Sequence, residues 1–200
     1  MNYFAGSAKV IAALAAVLVA LHLSACSSSK PKPVDYHIYG EADTLLNRDV
    51  SARPLSVVLD VYQLKDRQAF SRLTFDDFVS GKSETDLFGD ELIQKTEIVI
   101  LPGGKQSLAT SLLPETKYLG VVAVYRMPSE QQWRYLVPAE QIRKTGFWHW
   151  GSSAEKTITV RLHDCYLTVE GVDVDLIPGQ KAETVPTCAL PADASATAVR

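Results

Sequence analysis

The sequence predicts an all-β fold, an antiparallel two-sheet β-sandwich with a short helical insert after its second strand. Three observations predict it. About eight segments rich in β-branched and aromatic residues are separated by turn residues. No strand–helix–strand rhythm runs through them, which argues against a parallel α/β design. Most of them alternate apolar and polar side chains, as strands with one buried and one solvated face require.

Taken in order, residues 35–43, with Tyr36, Ile38 and Tyr39, read as the first strand. The next stretch, Leu45-Leu46-Asn47-Arg48-Asp49-Val50-Ser51-Ala52-Arg53-Pro54, has no sustained period and reads as a loop, long for a hairpin. Leu55, Val57, Leu59 and Val61 alternate with Ser56, Asp60 and Tyr62 in a second strand, with Val58 the exception. From residue 66 to about 90 the period changes. Thr74 and Asp77 make a capping-box-like start for Phe75, Phe78 and Val79, with Gly81 placed to end the turn; Ser83 and Asp86 repeat the device before Leu87, Phe88 and Gly89. Helices this short must dock on an apolar surface.

Strands then resume over 97–101 and 106–113, joined by the turn Pro102-Gly103-Gly104-Lys105. Residues 118–125 are apolar on both faces, as in a central buried strand, and a turn at 126–130 leads into 133–137. Ile158, Val160 and Leu162 alternate with Thr157, Thr159 and Arg161, and a further strand covers 166–169. Val172, Val174 and Leu176, alternating with Asp173 and Asp175, suggest one more. Residues 34–188 thus form the domain, and 189–200 a small, polar, mobile tail.

The N-terminus sets the address. One cation (Lys9) precedes an apolar run from Val10 to Leu21, about a dozen residues and short of the roughly 20 that span a bilayer. It closes on Leu23-Ser24-Ala25-Cys26, which resembles the bacterial lipobox and implies cleavage before Cys26 and lipidation of that cysteine. An uncleaved anchor and ordinary secretion are the competing readings. Residues 27–33 (Ser-Ser-Ser-Lys-Pro-Lys-Pro) form a polar tether after the 1–25 signal. About 175 residues remain, enough for one domain with a real core. The net charge of −3 and the lack of a basic block give no reason to expect nucleic-acid binding.

With Cys26 lipidated, Cys165 and Cys188 remain in a compartment where disulfides persist. A bridge would close a loop of about 22 residues and contribute roughly 3 kcal/mol. The rival reading is a reactive Cys165 thiol with His163 on the same strand face. No Gly-x-Ser-x-Gly elbow, His-Glu-x-x-His, phosphate-binding glycine loop or Cys-x-x-Cys is present, so neither metal nor cofactor is expected. His37, His149 and His163 are isolated, and Asp173-x-Asp175 reads more readily as a solvated face than a cation site. Phe147-Trp148-His149-Trp150 is either a buried cap or an exposed contact surface. In the 45–53 loop, two leucines beside Arg48, Asp49 and Arg53 suit an interface with an apolar centre and charged rim, and equally an ordinary surface loop.

Several segments carry a resemblance: Val61-Tyr62-Gln63-Leu64, Phe70, Phe75-Asp76-Asp77-Phe78, Leu101-Pro102-Gly103-Gly104, Tyr118-Leu119-Gly120-Val121-Val122-Ala123-Val124-Tyr125-Arg126 and Trp133-Arg134. In this order over roughly residues 34 to 170, with the lipobox, they resemble the outer-membrane lipoprotein family of the bacterial type VI secretion system, TssJ or SciN. The resemblance implies a transthyretin-like sandwich with a small helical addition and a non-enzymatic role in an envelope-spanning complex. It implies as partner the periplasmic C-terminal region of the inner-membrane protein TssM. The family's contact surface, the loop joining the first two strands, maps here onto Leu45, Leu46, Asn47, Arg48, Asp49, Val50, Ser51, Ala52 and Arg53. Cys165 and Cys188 are not part of the matched pattern. The rival functions are another envelope-assembly lipoprotein, or a lipid-anchored periplasmic enzyme using His163, Asp164 and Cys165 or the Asp173/Asp175 pair.

Overall fold

The computed structural model describes residues 32–143, 156–181 and 185–188. The lipobox with Cys26, the Phe147–Trp150 cluster and the 189–200 tail lie outside the described residues.

Eight strands make two four-stranded sheets. They are β1 (Val34–Ala42), β2 (Val57–Leu64), β3 (Leu92–Ile100), β4 (Lys105–Leu112), β5 (Tyr118–Val124), β6 (Arg134–Pro138), β7 (Lys156–Leu162) and β8 (Leu167–Glu170). One sheet has the order β4-β1-β7-β8, the other β3-β2-β5-β6. Every pairing is antiparallel except β1 with β7, which is parallel. The exception follows from chain direction. Successive strands alternate up and down, so two odd-numbered neighbours must run the same way. The expected antiparallel sandwich therefore holds with one parallel pair at the centre of the first sheet.

The core forms where the two inner faces meet. Tyr36, Ile38 and Ala42 of β1 and Ile158, Val160 and Leu162 of β7 face Leu59, Val61, Ile100, Leu119, Val121 and Ala123 from the other sheet, all buried. The sheets approach closely at Gly40, where a Cβ would sit 2.2 Å from Ile100 Cδ1. Only a glycine lets Ile100 seat against the β1 backbone here.

The outer face of the second sheet is covered as well, which accounts for the strand apolar on both faces and for the two-sided burial of β2. Its cover is α1 (Gln68–Arg72), α2 (Phe75–Val79), α3 (Glu84–Phe88) and a 3-10 turn at Gly89–Glu91. The sequence signals two helices, and the structure adds α1, which has no side-chain cap to announce it. The Thr74 hydroxyl accepts from Asp77 N at 3.1 Å, and Ser83 and Asp86 form a reciprocal capping box. The docking surface is aromatic: Tyr62 packs on Phe78 and Phe88, and Trp133 packs on Phe75 and Phe78. Phe70 lies on Gly120, where a Cβ would come within 2.3 Å of its ring. Beneath it the buried Arg134 guanidinium stacks on Trp133 and donates to Phe70 O at 2.5 Å; burial lowers its pKa to about 10.

Two expectations are corrected. Residues 172–176 make no strand, only an isolated bridge between Asp175 and Leu136. Asp175 N donates to Leu136 O and its carboxylate pairs with Arg67, and just beyond the segment the Gln180 side chain accepts from Ile177 N and donates to Gln131 O and Arg134 O. Cys165 lies in the turn between β7 and β8, not on a strand, so the same-face argument for His163 fails. It is bonded to Cys188 with a Cα–Cα distance of 5.6 Å, the bridge that cysteine parity suggests.

Gly120→Val should force Phe70 off the sheet and cost about 1–3 kcal/mol of stability by overpacking. Chemical denaturation should show a lower midpoint, accompanied by loss of near-ultraviolet aromatic signal. A variant as stable as the parent would remove Gly120 as the seat of the helical insert.

Candidate partner-binding site

Alternating strand direction puts the β1–β2, β3–β4, β5–β6 and β7–β8 connections at one pole of the sandwich. The registers show it: Ala42 pairs with Leu162, Glu41 with Lys105, and Val58 with both Val99 and Val124. Val34, where β1 begins, pairs with Leu112 at the opposite pole.

The 45–53 loop is built rather than slack. Asn47 is its bolt: Nδ2 donates to Ser56 O at 2.9 Å and Oδ1 accepts from Arg126 N at 2.8 Å, tying the loop to β2 and to the β5–β6 turn. Asp164 of the β7–β8 turn accepts from the Arg48 backbone at 3.1 Å and from its guanidinium at 2.9 Å. Asp49 closes the tip, accepting from Ser51 N, Arg53 N and Arg53 Nε at 2.8–2.9 Å. At the base, Gly103 N donates to Asp43 O, and His163 Nδ1 lies 2.8 Å from Asp43 Oδ2 with its ring stacked on Tyr166.

Backbone strain also concentrates here. Among the described residues the non-glycine residues with positive φ are Asn47 (48°) and Ala52 (59°), both in this loop. Asparagine tolerates that region, whereas alanine costs about 1–2 kcal/mol there. Strained conformations persist where the surroundings over-determine them, characteristically at functional segments.

The loop residues divide by direction. Leu46, Asn47 and Asp49 are buried, and Arg48 is spent on Asp164. Leu45 (56 % exposed), Val50 (74 %), Ser51, Ala52 and Arg53 face solvent. Neighbouring turns add Leu101, 61 % exposed, and Met127, 39 %. Sequence reasoning missed both, because a lone apolar residue beside a turn gives no local signal that three turns converge. Leu45, Val50, Leu101 and Met127 are thus exposed apolar side chains on connections of one pole, where Arg53 and Arg126 are exposed too.

The residues of the enzyme reading do not assemble. Cys165 is in the disulfide, Asp164 is bound to Arg48, and Asp175 is paired with Arg67. Among the described residues no group of three His, Cys, Asp or Glu side chains is placed to hold a metal ion. His37 lies on β1, and His149 falls outside the described residues.

Backbone N–H and guanidinium donation from Arg53 hold the Asp49 carboxyl below its ordinary pKa. For Asp164, burial pushes upward, but hydrogen bonding and charge from Arg48 outweigh it and the net shift is down. A depressed carboxylate stabilises the fold above its unfolded pKa of about 3.9 and loses that contribution as pH falls toward the folded value. Hydrogen exchange, corrected for intrinsic rate, should therefore show the Arg48, Ser51 and Arg53 amides protected at neutral pH and released below about pH 4, before the β1 amides; simultaneous release would tie the loop to global unfolding instead. Asn47→Ala, which strands the Arg126 N–H and the Ser56 carbonyl, should cost about 1–3 kcal/mol in denaturant unfolding. Unchanged stability would mean that Asn47 does not hold the loop.

The model of the type VI secretion lipoprotein family, described as VasD, EvfM and TssJ, matches residues 34–165, from the start of β1 to Cys165. A comparison with curated proteins gives no match. Among solved structures, the chain is similar to Serratia marcescens Lip, a membrane-bound component of the type VI secretion system, at a TM-score of 0.53–0.59 across the set and 0.59 here, with 21 % identity over 68 % of this chain and 96 % of that one. It is similar to the lipoprotein TssJ1 from Pseudomonas aeruginosa, with a TM-score of 0.55 and 20 % identity over 73 % of this chain and 99 % of that one. A chain of the structure described as the TssM C-terminal domain from EAEC matches with a TM-score of 0.53 and 22 % identity, over 68 % of this chain and 96 % of that one. At these identities the structures establish the shared sandwich fold, and the family match establishes kinship: this chain belongs to the type VI secretion lipoprotein family.

Proposed function

We propose that this protein is the outer-membrane lipoprotein of a type VI secretion membrane complex, held to the bilayer by acyl chains on Cys26. On this reading it binds the periplasmic C-terminal region of inner-membrane TssM through the β1–β2 loop and performs no turnover. The observation that carries the reading is the state of residues 45–53: strained, bolted to two neighbouring connections and to Ser56 before β2, and presenting Leu45 and Val50 to solvent. A loop already ordered binds without the entropy cost of ordering it. Family membership supports the complex, and a solved structure bearing the TssM name contains a chain of this fold. Two or more acyl chains suffice for stable anchoring, and confinement at the membrane raises the effective concentration toward a partner in the same periplasm.

Leu45→Asp and Val50→Asp should each weaken binding of full-length protein to the TssM periplasmic region by about tenfold or more, as exposed apolar anchors do. The thermal midpoint should stay within about a degree or two, since neither side chain is in the core. Undiminished binding by the double variant would reject the loop as the interface. Fatty-acid labelling should mark the parent and not Cys26→Ala, and equal labelling of both would reject the anchor.

A further inference from the structure

The proposed attachments, a lipid at Cys26 and a partner at 45–53, are close in sequence and lie on opposite sides of β1. Resting on that functional reading, we propose that β1 is a mechanical element, a strut that carries tension between membrane and partner while the sandwich stays folded.

The geometry supports a load-bearing role in three ways. First, β1 is already extended. Its nine residues rise about 3.3 Å each, so the strand spans roughly 30 Å from the tether pole to the loop pole. Tension applied at its two ends runs along covalent backbone with little slack to release.

Second, β1 is held on both edges. It pairs with β4 from Val34↔Leu112 to Glu41↔Lys105 and with β7 from Tyr36↔Lys156 to Ala42↔Leu162. Ladder hydrogen bonds run across the strand in the β1–β4 pair and slant in the parallel β1–β7 pair, so a pull on β1 that its neighbours resist strains the whole row together rather than one bond after another. Force entering at Leu101 runs along the chain into β4 and reaches the tether by shear across the β1–β4 ladder. Ion pairs reinforce the ladder at the loop end, where Glu41 holds Lys105 on β4 and Arg161 on β7, and Arg161 reaches Glu170 on β8.

Third, β1 is keyed against sliding. Ile100 occupies the notch at Gly40, between Ile38 and Ala42 on the same inward face. A two-residue slip would drive the side chain of Ile38 or Ala42 into Ile100, and a one-residue slip would turn the whole inward set toward solvent.

The test pulls the same two strands in two directions. Full-length protein in detergent micelles, carrying click-chemistry handles at Pro33 and Gln106, loads β1 against β4 in shear. Handles at Pro33 and Glu115 load the pair from the Val34–Leu112 end and unzip it. Optical-tweezer rupture forces should be roughly twofold or more higher in shear, because the ladder then shares the load. Equal forces in the two geometries would overturn the strut. Ile100→Ala should lower the shear force more than Leu136→Ala, a comparable buried truncation that pairs with Gly120 on the face of the second sheet turned away from β1; an equal effect would overturn the keyed register. No partner is present in this assay, so failure of the strut is distinct from failure of TssM binding.

Discussion

The close approach of Ile100 to Gly40 is the constraint on which the rest of the sandwich depends. Stacked sheets ordinarily stand about 10 Å apart, and a side chain seated against bare backbone fixes their relative position as few contacts can. Ile100 is the last residue of β3, so the contact also fixes where the β3–β4 turn emerges. That turn then meets the base of the β1–β2 loop, where Gly103, in a left-handed conformation, donates to Asp43 O beside Thr44. A core contact thus anchors the end of β3 from which that turn reaches the base of the loop. Substituting Gly40 would disturb that surface without touching any residue on it.

The second sheet solves a different problem. Its outer face carries Tyr62, Gly120 and the buried Arg134, and the short helices supply the apolar cover. None of these helices is long enough to be stable alone, so their order derives from the aromatic cluster and the caps together. Among the described residues no carboxylate pairs with Arg134; its charge is accommodated by the Trp133 and Phe70 rings and the Phe70 carbonyl. The C-terminal segment meanwhile closes the open side of β6. Asp175 N donates to Leu136 O, and the Gln180 side chain holds neighbouring carbonyls, protection that a bare edge strand would lack.

How much of this the sequence reveals depends on whether the signal is local. Strand periodicity, the caps at Thr74 and Ser83, and the turn at 102–105 are local, and each corresponds to an observed element. The two-sided burial of 118–124 was legible as a buried strand, although nothing nearby says that helices provide the cover. Parallel pairing of β1 with β7 joins segments more than a hundred residues apart, and no pattern within either encodes it. Residues 172–176 show the converse error. They alternate like a strand, but only Asp175 bridges to β6 while its side chain is drawn to Arg67 and Gln180 holds Ile177 N just beyond, so the apparent period reflects a covering segment. The loop was visible as a candidate from composition, yet its inward and outward residues were not distinguishable. Leu46 and Leu45 are chemically identical, and only the fold assigns one to the core and the other to solvent.

The charged residues of the loop turn out to shape it more than to advertise it. A solvated rim charge contributes mainly to association rate and specificity. Asp49 and Arg48 are instead consumed by internal bonds that hold residues 48–53 in one conformation. This leaves an exposed surface with more apolar than charged character, and it assigns the strained Ala52 to the tip that those bonds enforce. Each bond removes conformations that an unbound loop would otherwise sample, and the cost is met during folding. On the proposed reading, affinity at this surface rests on shape held in advance and on desolvation of Leu45 and Val50. A partner face that is concave and apolar fits those properties better than one built to collect ion pairs.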